Sequence, residues 1–146
     1  MSDAINGKPP VSFWIVAGLA LAWNLIGLFM YYSGVSATPE QLQAVYTPEQ
    51  FAAIEATPAW VTSAFAIATS FGVIASIVLL LRKALAFLLF VVSFVALLVQ
   101  DLYLFLLSDS LAVFGSSLLV IQGSVFVGGI IWIWYASLAR NRGWIS

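Results

Sequence analysis

The sequence contains no cysteine and no histidine among its 146 residues. The absence of cysteine excludes disulfides and thiol chemistry, and the absence of both residue types removes the usual ligands of zinc, copper and haem iron. Charge is also scarce, because Asp, Glu, Lys and Arg make up 8% of the chain, whereas a soluble domain has about a quarter. We therefore expect neither a soluble domain nor a metal or redox enzyme, and we expect no cofactor.

Recognisable catalytic patterns are missing as well. The sequence has no paired carboxylates on one predicted helix face, no glycine-rich phosphate loop and no glycine-flanked nucleophilic serine. The few basic residues cannot form the extended positive surface that nucleic-acid binding requires. We predict that the protein is not an enzyme and that nucleic acid is not a partner.

Long apolar runs are the main feature that is present, with 63% hydrophobic residues and a mean hydropathy of +1.08. A transmembrane helix needs about 20 apolar residues. We predict an all-α membrane protein that forms a single integral domain over residues 1–146, an up-down-up-down bundle in the lipid bilayer. Its spans are predicted over residues 11–33, 58–81, 84–107 and 110–138.

Charged residues lie almost entirely in the gaps between these runs, and the gaps alternate in sign. The basic gaps and ends hold Lys8, Arg82, Lys83, Arg140 and Arg142. The other gaps are acidic, and only Asp3 breaks the separation. Because Lys and Arg near span ends are retained in the cytoplasm, we predict that both termini are cytoplasmic. The middle of the membrane is left without an ionisable group, which argues against charge-driven pumping.

The connection over residues 34–57 contains a repeat, since Thr38–Gln41 and Thr47–Gln50 both read Thr-Pro-Glu-Gln. Thr as N-cap, Pro at the first helical position and Gln at the third form a helix start with a capping box. We predict two short periplasmic helices. They form either a structured cap on the bundle or an acidic lid or docking surface for a partner.

Polar side chains inside the apolar runs are the candidate site residues, because such groups are costly in lipid unless they face protein or water. They are Asn24, Gln100, Asp101 and Gln122. Asn24 and Gln122 are predicted at similar depth, so we expect either an amide pair bonded across helices or a polar substrate contact. Asp101 is expected at the outer edge of the hydrocarbon, as a carboxylate in contact with water or as a gate or cation site.

Small residues at helical spacing mark the predicted packing faces, because they allow helices to approach closely in lipid. These residues are Gly27, Ala68, Gly72, Ser76, Ser124 and Gly128. We expect them to lie in the packed interior.

Further distinctive segments occur along most of the chain: Phe13–Val16, Trp23–Gly27, Thr57–Val61, Leu79–Lys83 and Arg142–Trp144. Together they resemble a family of small bacterial four-span inner-membrane proteins, whose members are often labelled "sugar transporter". The resemblance implies a bacterial inner-membrane location and an extracytoplasmic Thr-Pro-Glu-Gln loop. It supplies no catalytic or binding residues.

Two functional hypotheses follow from these observations. The first is an accessory or scaffold subunit that packs with itself or with a larger membrane complex. The second is an oligomeric transporter or channel for a small neutral solute, with Asn24, Gln100 and Gln122 lining the path. A protein that holds a lipid-like molecule, such as a quinone or a carotenoid, is a third possibility.

Overall fold

A computed structural model describes residues 7–146 of the chain. It is 84% helical, with no strand in that range. The helices in chain order are α1 (Val11–Ser36), α2 (Pro39–Val45), α3 (Pro48–Glu55), α4 (Ala59–Leu80), α5 (Leu85–Leu102), α6 (Ser110–Phe114) and α7 (Ser116–Asn141), and a π-helical turn over Tyr103–Leu107 continues α5.

Within residues 7–146, four helices are long and apolar enough to cross a membrane: Val11–Ser36, Ala59–Leu80, Leu85–Leu107 and Ser116–Asn141. The prediction of an all-α chain with four candidate spans is therefore confirmed. The first helix continues to Ser36, three residues beyond the predicted limit at 33, and the last continues to Asn141 rather than 138.

The predicted fourth span, 110–138, differs from the structure at its start. Gly115 has φ of 69° and ψ of −150°, a conformation that glycine adopts readily and residues with a side chain do not. The helix is interrupted there, so that Ser110–Phe114 forms the separate short helix α6 and α7 begins at Ser116.

Both repeats in the connection form helix starts as predicted. The Thr38 hydroxyl accepts from the Gln41 backbone N–H at 3.2 Å, and the Gln41 side chain accepts from the Thr38 N–H at 2.9 Å. Thr47 and Gln50 make the same reciprocal pair, with both distances at 3.2 Å. Helices of seven and eight residues are marginal on their own, so these capping boxes contribute to their stability.

The long helices pack as a sequence of neighbours, in which α4 lies against α1 and α5, and α5 lies against α7. The first and last helices approach each other mainly through side chains. The rings of Phe13 and Tyr135 stack with centroids 6.4 Å apart, and the indole of Trp23 lies over Gly128. Away from these contacts, space is left between α1 and α7.

The largest buried cluster lies where the start of α1, the end of α4, the start of α5 and the end of α7 converge. Phe13, Leu79, Phe90 and Tyr135 belong to it, and all four are less than 9% exposed. Buried alanines, such as Ala17, lie between these larger side chains. This end of the bundle is closely packed.

The C-terminal segment is bound to the turn between α4 and α5. The Ala84 N–H donates to Ser146 O, and the Ser146 N–H donates to Arg82 O, each at 3.1 Å. The Arg82 Nε donates to Trp144 O at 2.8 Å, and Ile145 enters the buried cluster.

The contacts of the C-terminal segment bring the basic residues to one end of the bundle, which we call the basic end. Arg82 and Lys83 form the turn, Arg140 lies over the Phe87 ring at 4.4 Å, and Arg142 follows α7 directly. Lys8 precedes α1, whose Phe13 packs against Trp144. All five basic side chains are exposed, and Asp3 lies outside the described residues.

Candidate functional site

A cavity of about 430 Å³ lies among α1, α4, α5 and α7. Asn24, Gln100 and Gln122 all line it, so three of the predicted polar residues meet at one site. Its lining contains no charged residue. Cavities of about 300–1,000 Å³ are the usual size for binding small organic molecules.

Asn24 holds α1 against α4. Its Nδ2 donates to Ala20 O at 2.8 Å and to the Ser76 hydroxyl at 3.3 Å. Ser76 in turn donates to Gly72 O at 2.8 Å. The rest of the amide lies directly on Gly72, where a Cβ would be only 2.8 Å from Asn24 Cγ. Glycine at position 72 is therefore what allows this amide to fit between the helices.

The expected bond between Asn24 and Gln122 is not formed. In the described part of the chain, side chains bond to each other only at Asn24–Ser76 and Ser108–Ser110. Gln122 is half-buried, and Gln100 is 7% exposed. Since an amide without a partner is costly in apolar surroundings, these two side chains leave donors and acceptors available to a bound molecule.

Two tryptophans complete the polar features of the cavity. The Nε1 of Trp132 is buried and has no hydrogen-bond partner within residues 7–146. Trp23 is 40% exposed and its Nε1 would lie 3.2 Å from a Cβ at position 128. Both residues line the cavity. The Trp132 N–H is enclosed by protein atoms rather than open to the cavity. Sequence reasoning did not identify it, because nothing distinguishes Trp132 among the aromatic residues of an apolar run.

Two cavity hydroxyls are already bonded to the backbone. The Ser93 hydroxyl donates to Ala68 O at 2.6 Å, and the Thr69 hydroxyl donates to Phe65 O at 3.0 Å. Their hydrogens are used within the protein, so they offer mainly acceptor capacity to the cavity.

The cavity has a closed side and an open side. Phe90 lines it and also belongs to the buried cluster at the basic end, so close packing limits the cavity in that direction. On the other side, a shallow groove on the outer surface shares Trp23, Ser124 and Trp132 with the cavity. These three side chains therefore border both the cavity and the outer surface between α1 and α7.

Most of the predicted packing residues do lie between helices. Gly72 and Ser76 contact Asn24, a Cβ at Gly27 would lie 3.5 Å from Thr69, and Ala68 is 8% exposed. Gly128 is buried beneath Trp23.

The prediction that Ser124 lies in the packed interior is wrong, because this residue is exposed and its hydroxyl donates to Val120 O at 2.7 Å. It lies at the opening of the cavity rather than in a packed interface of this chain. Gly129 is a further close-packing residue of α7, since a Cβ there would lie 2.6 Å from Phe94 Cδ2.

Asp101 does not share the position of its neighbour Gln100. Gln100 lines the cavity, whereas Asp101 is absent from its lining. Asp101 is half-buried, and its Oδ1 is enclosed without a hydrogen-bond partner in the described range. A gate or cation site at Asp101 stays a prediction.

Comparison with protein-family models, curated proteins and solved structures finds no match to this chain. The resemblance to the small four-span family is therefore neither supported nor opposed. The site has to be interpreted from its own residues: an uncharged, largely apolar cavity with two available amides.

Proposed function

We propose that the protein is a multi-pass protein of the bacterial inner membrane, an up-down-up-down bundle with both termini cytoplasmic. Its support is the collection of basic residues at one end, since such residues are retained in the cytoplasm. The contacts between α1 and α4 agree with this arrangement. Asn24 contacts Ser76, whereas Tyr31, further along α1, contacts Phe65, which comes earlier in α4, as expected for antiparallel helices. On this arrangement α2 and α3 are periplasmic.

We propose that the function of this bundle is to bind a small neutral molecule within the membrane. The observation that carries the proposal is the meeting of Asn24, Gln100 and Gln122, from three helices, at one cavity without charge. An apolar cavity with a few placed polar groups is the usual form of a small-molecule site. The absence of charge favours a neutral ligand, because an unpaired ion would lose its hydration without compensation.

Transport of the bound molecule is the natural extension of this proposal. The cavity lies within one chain, so an oligomer is not needed to form it. The closely packed side chains around Phe90, which we call the Phe90 layer, close one side of the cavity. Passage across the membrane would require this layer to move. Binding is therefore the first step, and any transport would be by alternating exposure rather than through an open channel.

Native mass spectrometry of the protein extracted in mild detergent tests this proposal. Val125 lines the cavity, so Val125→Trp should fill it. Ile130 on the same helix is 48% exposed and is absent from the lining, so Ile130→Trp is the matched control. We expect an additional neutral mass on the wild type and on Ile130→Trp, and its loss from Val125→Trp. Equal occupancy in all three, or no bound mass in any, would contradict the proposal.

An accessory or scaffold role is a second proposal, favoured by the exposed face of α7. Only 6% of an 18-residue apolar segment of α7 is buried within the chain. Gly123 and Ser124 are among the exposed residues of this helix. Small residues of this kind permit close approach of a second transmembrane helix. Purification in mild detergent that returns a monomer with no co-purifying protein would argue against this role.

A further inference from the structure

We infer that the molecule bound in the cavity comes from the lipid phase, and that it is a neutral lipid with an oxygen-bearing head group and one apolar chain. Its head group occupies the cavity, and its chain leaves between α1 and α7 along the outer groove. This inference rests on the proposed function and specifies the class of ligand and its route.

The route follows from the three side chains that the cavity and the outer groove share. Trp23, Ser124 and Trp132 line both the cavity and the outer groove. The groove lies on the outside of two helices that are long and apolar enough to span a membrane. In a bilayer, this surface faces acyl chains rather than water. A molecule dissolved in the bilayer can therefore reach the cavity sideways without crossing the packed Phe90 layer.

The head group follows from the polar atoms that the cavity offers. The Trp132 N–H is enclosed by protein atoms, so it is not available to a ligand. The amides of Gln100 and Gln122 line the cavity from α5 and α7. Each can donate and accept, so together they match a carbonyl, ester or hydroxyl oxygen. No charged side chain lines the cavity, so phosphate, carboxylate and ammonium head groups are not matched.

The apolar chain follows from the length and lining of the groove. Gly123 and Trp132, nine residues apart on α7, are its limits along the helix, which corresponds to about 13 Å at 1.5 Å per residue. An extended chain advances about 1.2 Å per bond, so about eleven bonds, or about twelve carbons, cover this length. Val127 and Ile131 line the groove, and the Trp23 indole lies over Gly128 at its edge. One alkyl or acyl chain matches this surface.

Photolabelling of the full-length protein in phosphatidylcholine nanodiscs tests the inference with two monoacylglycerol probes. One carries a diazirine beside the head group, and the other carries it at the end of the chain. We expect the first probe to label residues of the cavity such as Ser93 and Val125, and the second to label residues 123–131 of the groove. Excess unmodified monoacylglycerol should suppress both patterns.

The variants separate this inference from the proposed function. Val125→Trp should reduce cavity labelling by about tenfold or more, as expected for a clash in a packed site, whereas Ile130→Trp should leave it unchanged. Equal labelling by both probes of lipid-facing residues such as Leu88 and Leu98 would overturn the inference. Suppose that labelling gave this result but native mass spectrometry still showed a neutral mass that is lost in Val125→Trp. Then the cavity would bind a neutral molecule, and only its origin in the lipid phase would be wrong. If no such mass were found, the proposed function itself would fail.

Discussion

Alanine at position 72 should disrupt the contact between α1 and α4. A Cβ there would lie 2.8 Å from Asn24 Cγ and 3.4 Å from Ser93 Oγ. The Asn24 amide cannot turn away freely, because its Nδ2 donates to Ala20 O at 2.8 Å and to Ser76 Oγ at 3.3 Å. Relief of the clash therefore requires either loss of the bond to Ser76 or separation of the two helices.

The expected size of the effect combines three terms. Overpacking a close contact costs about 1–3 kcal/mol, and a hydrogen bond between membrane helices contributes about 0.6 kcal/mol on average. Alanine stabilises a helix interior by about 1 kcal/mol relative to glycine. Gly72→Ala should therefore lower the free energy of unfolding by about 0.6–2.6 kcal/mol. In an Asn24→Ala background the obstructing amide is gone, so the same substitution should become stabilising.

A double-mutant cycle in mixed micelles, with SDS as denaturant, measures this reversal of sign. Gly123→Ala is the matched control, since nothing lies within 4 Å of a Cβ at that position, and it should behave alike in both backgrounds. An equal change for Gly72→Ala with and without Asn24 would show that the amide does not pack on Gly72. The account of the α1–α4 contact would then be wrong.

Three further predictions concern other parts of the chain. Gly129→Ala should lower the free energy of unfolding by about 0–2 kcal/mol in the same assay, because its Cβ would lie 2.6 Å from Phe94 Cδ2 and the cost of overpacking exceeds the gain in helix propensity; a stabilisation of about 1 kcal/mol, as expected at an open helix position, would contradict this contact. Thr47→Ala removes the N-cap acceptor of α3 and should weaken that helix by about 1 kcal/mol. Amide hydrogen exchange should become faster in α3 and stay unchanged in α7, and an unchanged rate in α3 would refute this prediction. Because the chain lacks cysteine, Ala52→Cys should react with an impermeant maleimide in intact cells and Asn141→Cys only after permeabilisation, and the opposite pattern would reverse the proposed topology.

Local sequence signals were sufficient to predict most of the helices. The capping boxes at Thr38 and Thr47 act within four residues, so they can be recognised without the rest of the fold. The break at Gly115 and the π-helical turn at Tyr103–Leu107 were not predicted. Both lie next to long apolar runs, where hydropathy stays high whether the backbone is α-helical or not. Hydropathy alone therefore does not reveal an interruption.

The members of the candidate site were predictable, but their partners were not. Asn24, Gln100 and Gln122 stand out because amides are rare in apolar runs, and all three line the cavity. Which group Asn24 bonds to depends on how the helices are rotated and how closely they approach. Gly72 decides this by leaving space for the amide beside Ser76. The unpaired N–H of Trp132 likewise results from packing and has no local signal.

The space between α1 and α7 is the central feature of the account, and a high-resolution structure in phosphatidylcholine nanodiscs would test it most directly. We expect elongated density that begins beside Gln100 and Gln122 and continues outward past Trp23 along the groove of α7. Closure of α1 onto α7, with Gln122 bonded to Asn24 and no density between the helices, would contradict both the proposed binding function and the route from the lipid phase.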